Sequence, residues 1–176
     1  AEAKYVKQLK SGYFVTKEDA LGFQEFTPMK AQGYNDYSHK IIYPCIGQTK
    51  VDGFRIMIDK NGQAWSKQGE PIELPAHWEG VKDFAISCAG LDGECYAGLK
   101  DQGGLSLQRI ISAFRKPNED TSKLQYWVYD IPNEITMLDR SKTIDYLSQS
   151  KPASIVVVQN VLLKNKDQGD KFFRDI

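Results

Sequence analysis

The stretch from Ile41 to Lys67 constrains the fold most. Ile41-Ile42-Tyr43 and Cys45-Ile46 lead toward Lys50. Phe54, Ile56 and Ile58 then recur at every second position after Asp52-Gly53. That period of two belongs to a strand with one face buried. Asp59-Lys60-Asn61-Gly62 is a strong hairpin turn, and Gln63 to Lys67 reads as the returning strand. A strand, a turn and a strand at this point make a β-sheet the centre of the domain.

The rest of the chain supplies further strands and the helices that cover them. Leu91-Asp92-Gly93-Glu94-Cys95-Tyr96-Ala97 reads as a turn followed by a strand, with Glu94 in the turn. Leu124 to Ile131 is an aromatic-rich strand, and Ile155-Val156-Val157-Val158 is a buried one by composition. Leu107, Ile110, Ile111 and Phe114 fall on one helical face, with Ser106 as the expected cap and Arg109, Ser112 and Lys116 facing outward. Asp139 is the expected cap of a helix carrying Ile144 and Leu147, and Asp167 starts a pattern with Phe172, Phe173 and Ile176. Residues 70–82, with Pro71, Pro75 and Gly80, read as loop with a short helix, and Ala85-Ile86-Ser87-Cys88 is an apolar segment. Residues 1–26 form an appendage with helical spacing at Tyr5, Val6 and Leu9, a short strand at Tyr13-Phe14-Val15 and a cap at Thr16. The expected class is α+β, with mostly antiparallel sheets flanked by helices.

At 176 residues the chain suits one domain with a short appendage. Its 23 basic and 23 acidic side chains cancel, which argues against nucleic-acid binding through bulk charge and leaves room for a local basic groove. Cys45, Cys88 and Cys95 are odd in number and lack metal-type spacing, as reduced buried thiols do. His39 and His77 are too few and too far apart for a metal site. There is no apolar run of membrane length and no signal-peptide pattern at Ala1-Glu2-Ala3-Lys4, so the expected location is cytoplasmic, without a membrane partner.

The chemistry concentrates at Lys50-Val51-Asp52-Gly53-Phe54-Arg55. A neutral lysine amine can attack phosphorus and hold the product covalently. Glycine lets backbone approach a ligand closely. An arginine fork matches phosphate oxygens. Against this stands a bland reading, a charged surface hairpin. Glu94, Lys67 and Tyr129 each have an equally bland reading, as a solvated turn residue, a surface lysine and a core aromatic. Their order and spacing together are far harder to reach by chance.

Those residues resemble the covalent nucleotidyltransferases, a family that includes ATP-dependent DNA ligases, RNA ligases and mRNA-capping enzymes. Lys50 to Arg55 is similar to motif I. Ser66-Lys67-Gln68-Gly69 resembles motif Ia with lysine in place of arginine, Leu91-Asp92-Gly93-Glu94 resembles motif III, and Tyr126-Trp127-Val128-Tyr129-Asp130 resembles motif IIIa. Pro28-Met29-Lys30-Ala31 and Leu105 to Ser112 resemble segments of ATP-dependent DNA ligases, including bacteriophage ones. The resemblance covers residues 27–176 and implies an adenylation domain of the nucleotidyltransferase, ATP-grasp-like fold. It implies that Lys50 takes AMP from ATP as a phosphoramidate, with Mg²⁺ present. Arg55 would touch ribose or the nicked strand. Glu94 would bind ribose or position the metal. Tyr129 would stack on adenine, Gln48 and Thr49 would read its edge, and Lys67 would contact phosphate. The implied partner is nicked double-stranded DNA, in a bacterial host cytoplasm if the chain is phage-encoded.

Two later motifs of the family are not matched. Glu79-Gly80-Val81-Lys82 has the wrong position for E-G-x-V-x-K/R, and Lys164-Asn165-Lys166 reads as a solvated turn rather than the closing lysine pair. The pattern is therefore that of a partial adenylation domain, to be completed by a downstream ligase segment or a second chain, and such a part would adenylate itself poorly alone. RNA ligase or capping guanylyltransferase remains an alternative, separable by nucleotide preference. So does a non-catalytic nucleic-acid-binding remnant, which would have no need of a lysine nucleophile.

Overall fold

The computed structural model describes residues 33–98 and 103–175. The appendage at 1–26 and Pro28-Met29-Lys30-Ala31 lie outside the described residues.

Among the described residues eight strands form two sheets. Strands β2 (Phe54–Ile58), β3 (Ala64–Ser66), β4 (Pro71–Ile72), β5 (Leu91–Tyr96), β6 (Gln125–Asp130) and β7 (Ile155–Val157) make a six-stranded sheet in the order β4-β3-β2-β5-β6-β7. Every pairing in it is antiparallel except β6 with β7, which is parallel. Strands β1 (Cys45–Gly47) and β8 (Val161–Leu163) pair antiparallel as a separate ribbon. The α-helices among the described residues are α1 (Tyr34–Tyr37), α2 (Val81–Ser87), α3 (Leu107–Arg115), α4 (Met137–Leu147) and α5 (Lys166–Asp175). The architecture is thus mixed, with helices packed on mostly antiparallel strands.

The two faces of the large sheet have different jobs. Ile56, Ile58, Leu91, Cys95, Tyr126 and Val128 are fully or almost fully buried and form the core with Val81 and Ala85 of α2 and Ile110 and Ala113 of α3. Burying an aliphatic side chain of this size stabilises by roughly 1.5–3 kcal/mol. Phe54 meets Phe114 of α3 edge-on at 4.6 Å. Trp78 stacks on Tyr126 at 5.6 Å and donates its indole N–H to the Leu124 carbonyl. Tyr126 in turn donates its hydroxyl to the Ile56 carbonyl across the sheet, so its one polar atom is satisfied inside the core. The opposite face carries the polar residues described below.

Several local expectations change. The hairpin at 59–62 forms, held by the Asp59 carboxylate accepting from the N–H groups of Asn61 and Gln63. Asp92-Gly93, however, is no turn: both lie inside β5, where the backbone stays extended because it pairs on both sides. The segment 85–88 is the end of α2, closed by a Schellman-type pair in which the N–H groups of Ala89 and Gly90 donate to the carbonyls of Ile86 and Ala85. Helix α3 begins after Ser106 as expected, but that hydroxyl makes no capping bond. Helix α4 is capped by Thr136, which accepts from the Asp139 N–H while donating its own hydroxyl to the Asp139 carboxylate. Asp139 thus sits inside the first turn as the reciprocal partner rather than as the cap. Lys166 opens α5 and pairs with Asp170 at 2.6 Å, and Lys164 is exposed.

Candidate active site

Strand pairing brings the distant segments of the chain together. Arg55 on β2 lies directly opposite Glu94 on β5, and Glu94 lies opposite Trp127 on β6. Side chains of directly opposed residues share a face, and so do those two apart on one strand. Arg55, Asp92, Glu94 and Trp127 therefore project together on the face opposite Ile56, Ile58 and Leu91. Tyr129 joins them through a β-bulge: Gly93 pairs with Val128 and Asp92 with Asp130, so Tyr129 is the extra residue on β6. A bulge re-aims the side chain at its position. The Tyr129 ring lies under the Arg55 guanidinium, 5.4 Å from ring centre to the central carbon.

Close backbone approach requires glycine at two points. A Cβ on Gly53 would come within 2.0 Å of the Cys95 carbonyl, and one on Gly93 within 2.5 Å of the Trp127 carbonyl and 2.7 Å of the Tyr126 ring. Neither glycine has a positive φ. Gly53 thus serves here by letting the loop after Lys50 lie against β5, which sets that loop over Glu94.

The charges on this face are coupled. Arg55 donates through Nε and Nη2 to the two oxygens of Asp92, a carboxylate that is 2% exposed. Burial pushes the Asp92 carboxyl up, and the Arg55 guanidinium opposes that shift. Burial pushes Glu94 up further, to about 7, restrained by the charges of Lys50 and then Arg55 and by the Gly53 N–H. Lys50 itself is exposed, and its ammonium is close enough to act on Glu94. Burial also raises the Tyr129 hydroxyl, with Asp92 adding to the effect.

The remaining sequence candidates fall in different places. Gln48 follows β1 and donates its side-chain amide to the Tyr129 carbonyl at 2.7 Å and to Asn160 Oδ1 at 2.8 Å. Thr49 is exposed beside Lys50. Lys67 is exposed in the turn after β3, where Ser66 Oγ accepts from the N–H groups of Gln68 and Glu70, and it makes no ion pair among the described residues. Sequence reasoning missed Asp92 as the partner of Arg55, and Asn160 as a partner of Gln48. Asp92 was legible as a charge two residues before Glu94. Asn160 carried no signal, because only the fold sets it beside Gln48.

Among the described residues no group of three or more His, Cys, Asp or Glu side chains is placed to hold a metal. Asp92 is bound to Arg55, so on this face of the sheet Glu94 could offer a carboxylate to a divalent cation held mainly by a ligand's phosphates. Two surface concavities lie elsewhere: one of about 520 Å³ at Arg109, Ser112, Asn118, Glu119 and Asp120, the other of about 450 Å³ between α4 and the segment 156–160. Neither includes Lys50, Arg55, Glu94 or Tyr129. Arg109 and Ser112 of α3 and Lys116 just after it are exposed, as the helical pattern requires, and so are Gln108 and Arg115; Arg109 is paired with Asp120.

No family profile and no curated protein match the sequence. Solved structures do. A structure from a structure–function study of DNA binding by Lig E DNA ligases superposes with a TM-score of 0.61 at 18% identity, covering 79% of this chain and 54% of that one. The Chlorella virus DNA ligase–adenylate superposes with a TM-score of 0.57 at 20% identity, covering 78% of this chain and 51% of that one. The chain has a DNA ligase-like fold. It spans about half the length of these ligase structures. Among the described residues of this ligase-like fold, no helix is long and apolar enough to cross a membrane.

Proposed function

We propose that this chain carries the lysine nucleophile and much of the nucleotide-binding face of an ATP-dependent DNA ligase. The observation that supports this best is the convergence of Arg55, Glu94 and Tyr129 on one face of the sheet, with the charge of Lys50 acting on Glu94. A bland hairpin would have no reason to gather them there.

In this reading the Lys50 amine attacks the α-phosphorus of ATP. A nitrogen–phosphorus bond forms, the bond to pyrophosphate breaks, and the amine gives up a proton. Tyr129 offers its ring to adenine, and stacking of a base on an aromatic face contributes about 1–3 kcal/mol. Glu94 accepts from ribose and, when Mg²⁺ is bound, provides a carboxylate ligand that helps neutralise phosphate charge. Arg55, locked by Asp92, presents a fixed cation to ribose or to the nicked strand, and exposed Lys67 contacts phosphate. The DNA-ligase-like fold favours nicked double-stranded DNA as the acceptor substrate. Exposed Lys116, just after α3, is available to its backbone.

The test is incubation with Mg²⁺ and ATP radiolabelled at the α-phosphate. Label is expected to accumulate slowly on the chain alone, since the later family motifs are unmatched, to sit on Lys50 as an acid-labile phosphoramidate, and to vanish in Lys50→Ala. Tyr129→Ala is expected to weaken ATP binding roughly tenfold to a hundredfold. Label that survives Lys50→Ala, or ATP binding indifferent to both Tyr129 and Glu94, refutes the reading.

A further inference from the structure

The amide of Gln48 is held in one orientation. Its nitrogen donates to the backbone carbonyl of Tyr129 and to Asn160 Oδ1. A backbone carbonyl can only accept, so the nitrogen, and not the oxygen, must face it. The second hydrogen of that nitrogen goes to Asn160. Turning the Asn160 amide around would set two N–H groups against each other. Its own Nδ2 is left buried with no partner, a cost that native structures seldom carry without a reason. Both amide hydrogens of Gln48 are therefore used. Its Oε1 accepts no hydrogen bond among the described residues and is not one of the buried unpartnered atoms. What Gln48 has left for a ligand is an acceptor alone.

We infer that Asn160, together with the Tyr129 carbonyl, is a positioning group that makes this site select a purine with an amino group at position 6 over one with a carbonyl there. This rests on the nucleotide-binding reading above. A freely rotating glutamine amide would serve both bases, since it can present either its oxygen or its nitrogen. A locked one serves only the base that donates. The same Tyr129 supplies the ring and, through its carbonyl, one of the two locks, so base stacking and base choice are tied to one residue.

The experiment compares the dissociation constants of ATP and inosine triphosphate, which differ at position 6, for the wild-type chain and for Asn160→Leu, Asn160→Ala and Asn160→Asp. Wild type is expected to favour ATP by about tenfold to a hundredfold. Asn160→Leu is expected to lower that ratio by about threefold or more without abolishing it, because one of the two locks is gone while the Tyr129 carbonyl still favours the Gln48 nitrogen. Asn160→Ala, which disturbs packing less, is the second variant and is expected to behave likewise. Asn160→Asp keeps an acceptor toward Gln48 and is expected to retain the preference. A merely structural Asn160 would weaken both ligands alike and leave the ratio unchanged, which overturns the inference. Equal binding of the two nucleotides by wild type also overturns it and leaves the nucleotide-binding face standing. Failure of wild type to bind either nucleotide overturns that face and the inference together.

Discussion

Replacing Glu94 with Gln tests the electrostatics of the site without touching its shape. Burial lifts the Glu94 carboxyl from an ordinary 4.5 to about 7, despite the nearby charges of Lys50 and Arg55. A group whose folded pKa is raised binds more protons folded than unfolded, so its contribution to stability is full below the unfolded value. It falls as pH rises through the window from 4.5 to about 7, and above that window the charged form is buried at a constant penalty. Tenfold in a proton-binding constant is worth about 1.4 kcal/mol, so a window of this width would correspond to roughly 3 kcal/mol. Glu94 is only partly buried, and solvent screening reduces this to about 1–2 kcal/mol. Glu94→Gln removes the titration and keeps the volume. Urea unfolding of both proteins at about pH 5 and about pH 8.5 separates the effect, because every other titrating group is shared. The variant is expected to gain about 1–2 kcal/mol on wild type between the lower and the higher pH. A difference between the proteins that does not change with pH would refute the reasoning, and a change of opposite sign would show that Lys50 stabilises charged Glu94 more than burial opposes it. Nucleotide binding in the presence of Mg²⁺ is expected to weaken in the same variant, the outcome that a carboxylate kept for function at the expense of stability would give.

Three further outcomes are expected. Asp92→Ala leaves the nearly buried Arg55 guanidinium without its carboxylate and is expected to cost about 3–5 kcal/mol in chemical denaturation; a loss below about 1 kcal/mol would mean that water or Glu94 replaces the partner. Gly93→Ala drives a methyl group against the Trp127 carbonyl and the Tyr126 ring, neither of which can retreat, and is expected to lower stability by at least about 2–3 kcal/mol, measured as a fall in melting temperature. Lys116→Ala, just after α3, is expected to reduce the salt dependence of nick binding by about one in the log–log slope. Arg109→Ala is expected to change it less, since Arg109 is already paired with Asp120; equal effects would show that this pair opens on binding.

Local physics was readable wherever the deciding contacts lie close in sequence. Alternation at Phe54, Ile56 and Ile58 identified β2, the Asp59–Gly62 chemistry identified its hairpin, and the i, i+3, i+4 spacing from Leu107 to Phe114 identified α3. The motif-bearing segments of β2, β5 and β6 were legible as well, because their order along the chain resembles a known pattern. Tertiary structure decided how those segments meet. Asp92-Gly93 has turn composition, yet it is strand, because pairing with β2 on one side and β6 on the other outweighs local preference. The bond from Arg55 to Asp92 runs diagonally across a register that no single strand specifies. The bulge that frees Tyr129, the parallel placement of β7 and the pairing of β1 with β8 each join residues far apart in the chain. Gln48 shows the division most plainly. By sequence it was a residue two before the lysine, implied by the resemblance to read the adenine edge, and only the fold sets its amide against the Tyr129 carbonyl and Asn160, because hydrogen bonds between distant segments exist only once the backbone has brought them together.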